Sequence, residues 1–204
     1  MGNGSGVTIV NVGYRSTNFW VVSAGTSRML VDLGYPGTMG ILRANLERMD
    51  VPLAELRYGL ATHYHLDHAG LAQELKNLGV PLLVVDVQLA AIPALKQVMK
   101  PRDNYVDVAM HDNVTITVAE SRAVLERIGI AGEILHTPGH SDDSVTLLLD
   151  DGSAFTGDLT PPMLLDDASA SVVTASWRML RERGARRVYP GHGPVRPLMD
   201  DQSR

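Results

Sequence analysis

The sequence predicts an α/β domain of mixed β-sheets covered by helices on their outer faces. Three observations carry this. Short β-branched runs recur along the chain, separated by turn residues. Segments with apolar residues at helical spacing fall between and after those runs, in both halves. A length of 204 residues with 45% apolar and 20% charged side chains suits one substantial core, so residues 1–204 are read as a single domain.

Taken in order, Val7–Val12, Phe19–Ser23 and Met29–Leu33 read as strands. A helix follows over about Gly37–Met49, with Met39, Leu42, Leu46 and Met49 at helical spacing, and Pro52 marks the break after it. Arg57–Ala61 is a strand. From Asp67 the period changes: Leu71, Leu75 and Leu78 share a helical face that Gly79 and Pro81 end. Leu82–Val85 is a buried strand, and Gln88–Met99 a helix interrupted or kinked at Pro93. Val114, Ile116 and Val118 alternate with threonines, as in a half-buried strand. Glu120–Ile128 is helical, then Ile130–Leu135, Val145–Leu149 and Ala154–Thr156 are strands. Asp150, Asp151 and Gly152 supply the hairpin turn between the last two. Ser169–Arg183 is a helix with Val173, Trp177 and Leu180 on one face, and Val188–Tyr189 a short last strand.

Composition removes several classes. The absence of cysteine excludes disulfides, thiolate metal sites and cysteine nucleophiles. The net charge of -5 and the lack of a dense basic cluster argue against nucleic-acid binding. The nearest basic run, Arg178–Arg187, is interrupted by Glu182 and reads as a solvated helix face. No stretch has the roughly 18 apolar residues of a membrane span. Met1–Gly6 is Gly-rich, carries no basic-then-apolar signal and misses the myristoylation pattern, so it reads as a flexible tip and the expected location is cytoplasmic, away from membranes.

The chemistry concentrates in the histidines. Three of the seven, with an aspartate, fall inside "HYHLDH", His63–His68. His140 follows in "PGH", Asp158 in "TGD" and His192 in "PGH", each just after a predicted strand or at a Gly/Pro-marked turn. Residues i and i+2 on an extended backbone point the same way, so His63 and His65 can grip one ion together. Asp67 and His68 come where a helix starts and can aim at a second ion. Five imidazoles and two carboxylates suffice for two divalent ions sharing a carboxylate. That donor set suits zinc, iron or manganese and not the all-oxygen preference of calcium or magnesium. His111 and His136 are read as ordinary surface or core residues, with His136 near enough in sequence to support a ligand.

In order and spacing, these motifs resemble the metallo-β-lactamase fold superfamily over almost the whole chain. The resemblance implies a four-layer αβ/βα sandwich of two mixed sheets with the metals at one edge between them. It implies that His63, His65 and His140 hold one ion, that Asp67, His68 and His192 hold the other, and that Asp158 bridges the two. The pattern is closer to glyoxalase II-type thioesterases and N-acyl homoserine lactonases than to antibiotic-hydrolysing members, many of which put Cys at the bridging position or lack its Asp. Glyoxalase II enzymes generally add a C-terminal helical domain. Twelve residues follow His192 here, and that domain is expected to be absent.

The expected activity is that of a metal-dependent hydrolase cleaving a small ester, lactone or thioester. Two divalent ions, with zinc favoured and iron or manganese as alternatives, lower the pKa of a bridging water to near 7 and make the nucleophile a hydroxide. Against Asp67, Asp158 and that hydroxide, two dications leave a charge of about +1, which favours a polarised carbonyl or an anionic group. Asp67 is the catalytic residue by resemblance, orienting the nucleophile or shuttling its proton. Three segments are candidate substrate walls: Tyr14–Trp20 as a flap, Met99–Met110 as a lid, and "PPMLL", Pro161–Leu165, as the contact for an acyl chain. The competing readings are an iron-dependent oxidoreductase similar to persulfide dioxygenases, a nuclease similar to transfer-RNA 3′-processing enzymes, and a non-catalytic module that kept its metal site.

Overall fold

The computed structural model describes residues 6–164 and 170–198. The first sheet runs in the order β1 (Thr8–Asn11), β2 (Trp20–Ala24), β3 (Ser27–Val31) and β4 (Leu56–Leu60). β1 to β3 are antiparallel neighbours and β3 pairs β4 in parallel. β5 (Leu83–Val85) and β6 (Val114–Ile116) form a parallel pair joined to β4 through a single bridge, Gly59 to Leu82. The second sheet has the order β11 (Arg196–Pro197), β10 (Arg187–Pro190), β9 (Ser153–Gly157), β8 (Val145–Leu149) and β7 (Gly132–His136). It too is mixed, with β9 and β10 parallel and the other pairs antiparallel.

Alternation along the strands sorts side chains into layers. Trp20, Val22, Met29 and Val31 from the first sheet meet Ile134, Val145, Leu147 and Phe155 from the second in one buried core. The opposite face of the first sheet, with Val21 and Leu30, packs against α1 (Met39–Arg48), α3 (Ala72–Asn77) and α4 (Ala91–Val98) through Leu42, Leu46, Leu75, Ile92 and Leu95. The outer face of the second sheet packs against α6 (Ala170–Glu182) through Val173, Trp177 and Leu180. The result is the expected four-layer αβ/βα sandwich. In α6, Val172, Val173 and Thr174 are poor helix formers, costing about 0.5 kcal/mol each against alanine. Burying Val173, Trp177 and Leu180 gains about 2 kcal/mol apiece, so packing decides the conformation. The last outer helix, α5 (Ser121–Arg127), tucks Val124 and Leu125 into the inter-sheet core.

Four expectations need correction. The helix expected from Asp67 is two helices, α2 (Leu66–Ala69) and α3. The break falls at Gly70, whose N–H is drawn to the Gly34 carbonyl at 2.8 Å; a Cβ there would meet Pro36 and the Leu66 carbonyl at 2.4 Å. Pro93 does not kink α4: it lies in the first turn, where its missing N–H costs no helical bond. Val118 belongs to a short 3-10 turn rather than to β6. β11 was not anticipated, being two residues long and containing a proline. Ser169 and Leu165 lie outside the described residues, as do Met1 to Ser5. No described helix is long and apolar enough to cross a membrane.

Candidate metal centre

All seven residues singled out from the sequence converge at one edge of the sandwich. Each is delivered by the segment following a strand. His63, His65, Asp67 and His68 follow β4, His140 follows β7, Asp158 follows β9 and His192 follows β10. Three overlapping groups have ligand atoms within 4.8 Å of one another: His63, His65 and His140; His63, His68 and Asp158; and Asp67, His68 and His192. Asp158 sits between them. Its Oδ2 is 3.8 Å from His140 Nε2, 3.4 Å from His68 Nε2 and 3.3 Å from His192 Nε2. Asp67 Oδ2 lies 3.2 Å from His192 Nε2 and 3.5 Å from His68 Nε2. The rings of His63 and His65 are 4.4 Å apart, on the same side of the chain as expected for an i, i+2 pair.

The site has a buried floor and an exposed rim. His63 and His68 are buried, whereas His65, His140 and His192 are exposed and the two carboxylates half-buried. The floor is wired to one residue that the sequence reading passed over, Asp32. Its Oδ1 accepts the Thr62 N–H and the Thr62 hydroxyl, both at 2.8 Å. With its proton committed there, Thr62 Oγ1 accepts from His63 Nδ1 at 3.1 Å. Asp32 Oδ2 faces His68 Nδ1 at 2.9 Å. Both floor rings are thereby turned so that Nε2 points into the cluster. Asp32 follows β3 just as the other site residues follow their strands, a position too common to single it out in the sequence. Its φ of 66° marks a backbone under local constraint.

The turn Tyr14–Thr17 holds the rim. Thr17 is buried, and its hydroxyl donates to Asp67 Oδ2 at 3.0 Å while Tyr35 donates to Thr17 Oγ1 at 2.9 Å. The Ser16 carbonyl accepts from His192 Nδ1 at 2.8 Å, again leaving Nε2 for the cluster. Of the aromatics expected in a flap here, Phe19 and Trp20 are core residues, and Trp20 donates from its indole to the Pro190 carbonyl. Tyr14 packs edge-on against Tyr35. In the expected lid, Met99, Tyr105 and Val108 pack against the first core. Leu164, in the expected acyl wall, is 70% exposed. His136 donates from Nε2 to the Asp142 carbonyl and so closes the loop that presents His140; His111 is exposed and paired with Asp112, away from the cluster. Close approach also constrains Gly191, where a Cβ would meet Asp158 Oδ1 at 2.4 Å and His68 Cε1 at 2.6 Å.

Burial and neighbouring charges set the protonation of the cluster. Burial, reinforced by the neighbouring histidines, holds His63 well below the ordinary imidazole pKa, the neutral form a metal needs. Burial lowers His140 as well. Burial also opposes the His68 cation, but Asp32 and Asp158 prevail and raise its pKa well above the ordinary value. Burial works against the Asp158 carboxylate, yet the surrounding imidazoles hold its pKa low. His63 Nε2, His68 Nε2 and Asp158 Oδ1 are buried without a hydrogen-bond partner, a costly arrangement that a bound cation relieves. Nitrogen and carboxylate donors in this ratio fit zinc, iron or manganese.

Known proteins agree. Residues 12–192 match the family model described as the metallo-beta-lactamase superfamily. A lactamase-like protein of Pestalotiopsis microspora is 28% identical over 89% of this chain and 50% of its own length. An atrochrysone carboxyl ACP thioesterase of Aspergillus fumigatus is 30% identical over 89% of this chain and 38% of its own. The chain spans half the length of the first of these curated relatives and less than two fifths of the second. Among solved structures, the BLEG-1 B3 metallo-beta-lactamase superposes with a TM-score of 0.71 at 22% identity, covering 94% of each chain. TTHA1623 in a di-iron-bound form does so with a TM-score of 0.70 at 24% identity, covering 94% of this chain and 95% of its own. With its sandwich, its strand-end cluster and a family match over nearly all of its length, the chain belongs to the metallo-β-lactamase superfamily.

Proposed function

We propose that this protein is a dinuclear metal-dependent hydrolase of a small acyl compound, with a thioester as the first substrate class to test and an ester or lactone next. The observation that carries the reading is the position of Asp158 between two ligand groups, each completed by side chains from separate loops. His63, His65 and His140 would hold one ion, Asp67, His68 and His192 the other, and Asp158 both. Bound there, two divalent ions would supply the acidification of water and the polarisation of a carbonyl. The chain's own residues do the rest. Asp32 fixes the floor imidazoles, and Thr17 fixes Asp67. The free carboxylate oxygen of Asp67 accepts the proton of the attacking water and returns it to the leaving sulfur or oxygen. The thioesterase relative supports the thioester class, and exposed Leu164 soon after Asp158 supports an apolar acyl group.

Zinc is the proposed metal, in a cytoplasmic protein acting on small molecules with no nucleic-acid or membrane partner. Metal analysis by mass spectrometry, followed by a panel of thioesters, esters, lactones and phosphodiesters, tests the proposal. We expect two zinc ions per chain and turnover of an acyl substrate that a chelator abolishes and zinc restores. Iron with oxygen consumption, or turnover of phosphodiesters alone, would overturn it. Replacing Met163 and Leu164 with serine should shift chain-length preference in an ester series; unchanged kinetics would remove the acyl wall from the account.

A further inference from the structure

The basic run near the C-terminus does not behave as one helix face. Arg178 and Arg181 lie on α6, but Arg186 and Arg187 come after it, at the start of β10. There they meet Arg196 of β11, whose partner across the ladder is Val188. The three arginines line a cavity of about 520 Å³ together with Asp151, Ser153, Val195 and Pro197. The backbone beneath is fixed: Arg186 N–H and Arg187 N–H both donate to the Gly152 carbonyl, at 2.8 and 3.1 Å, and Leu198 N–H donates to the Arg186 carbonyl at 2.8 Å.

Elsewhere this acidic protein pairs arginines where carboxylates are near. Arg28 reaches Glu55 at 2.7 Å, Arg122 reaches Asp150 at 2.9 Å and Arg183 reaches Glu133 at 2.8 Å. No described carboxylate lies within ion-pair distance of Arg186, Arg187 or Arg196. Asp151 lines the same cavity, yet its Oδ1 accepts the Ser153 N–H at 2.8 Å instead of an arginine. Arg196 is half-buried, and its burial disfavours the cation. Among the described residues, three guanidinium groups around one hollow face one carboxylate and leave it locally positive.

We propose that this hollow is a binding site for a phosphate monoester, separate from the metal centre. Arginine forks match tetrahedral oxyanions through paired N–H donors, and a dianion satisfies three cations better than a carboxylate does. The volume exceeds the needs of a bare ion and falls within the range of small-molecule sites. Val195 and Pro197 offer an apolar wall for the organic part. The hollow and the metal centre occupy opposite ends of the same strand pair. Arg187 pairs with Ser153 at one end and Pro190 with Gly157 at the other, about 10 Å along the strands.

Calorimetric titration of the metal-loaded protein with phenyl phosphate, inorganic phosphate and acetate at constant ionic strength tests the site. Wild type should bind phenyl phosphate, and the Arg187→Gln/Arg196→Gln variant should bind it at least about tenfold more weakly. Melting temperature and metal content should stay unchanged in that variant. The single Arg187→Gln variant, altered at an exposed side chain, gives the same comparison should the double variant fold poorly. Tighter binding of phenyl phosphate than of inorganic phosphate supports the monoester. Equal affinities for the two reassign the hollow to free phosphate and overturn the monoester claim. Identical isotherms for wild type and variant place all binding at the metal centre and overturn the site, as does acetate binding as well as either phosphate.

Discussion

The floor and the rim of the candidate metal centre are built differently. The floor imidazoles, His63 and His68, are both steered by Asp32, one through the Thr62 hydroxyl and one directly. On the rim, His192 is held by a backbone carbonyl, while His65 and His140 meet each other across 3.1 Å, Nδ1 to Nε2. A ring fixed from behind keeps its Nε2 in place whether or not an ion is there; a ring without such support orders on binding. The floor and His192 would therefore set the positions of bound ions, and His65 and His140 would adapt around them. The contrast explains why a buried aspartate that faces no substrate belongs in the account of function.

The largest effect expected from breaking this contrast is loss of a floor ligand. His63→Ala should reduce turnover by more than about 100-fold, beyond the range seen for outer partners, and lower the metal count measured by mass spectrometry. Wild-type turnover at full occupancy would remove His63 from the centre. Next is Asp32→Asn, which keeps the shape and tolerates the positive φ but loses the carboxylate. Metal affinity should fall about 10–100-fold, read by competition with a chelator. An unchanged affinity would show that the floor needs no steering. Smaller again is Thr17→Val, which frees Asp67 Oδ2. A decrease of about tenfold in kcat, at the low end of the same range, is expected with metal content unchanged.

Protonation sharpens the contrast further. Asp32 and Asp158 keep His68 charged in the metal-free protein well above the ordinary imidazole pKa, whereas His63 is already neutral. Binding an ion at His68 Nε2 must displace a proton, so affinity rises with pH until the raised pKa of His68 is passed. Calorimetry in two buffers of different ionisation heat should report proton release from this group on metal binding. Binding without proton release would contradict the assignment of His68.

Much of this was legible from residues alone, for physical reasons. Strand-end loops carry reactive groups, and "HYHLDH" crowds histidines too densely for an ordinary surface pattern, so the seven residues that the fold brings together could be singled out in the sequence. Asp32 was not, because one aspartate after a strand is ordinary until His68 and Thr62 are folded onto it. Thr17 gave no signal: a single hydroxyl in a polar turn acquires meaning only through a partner fifty residues away. β2 and β3 followed from short β-branched runs between turn residues, and α6 from the helical spacing of Val173, Trp177 and Leu180. The break between α2 and α3 did not, since it depends on Gly70 packing against Pro36. The arginine run misled for the same reason, because its two ends belong to different elements.

The most direct measurement of the central claim is an anomalous difference map from crystals of the zinc-loaded protein. The account predicts two peaks, one among His63, His65, His140 and Asp158 and one among Asp67, His68, His192 and Asp158. A single peak, or peaks away from these side chains, would contradict it.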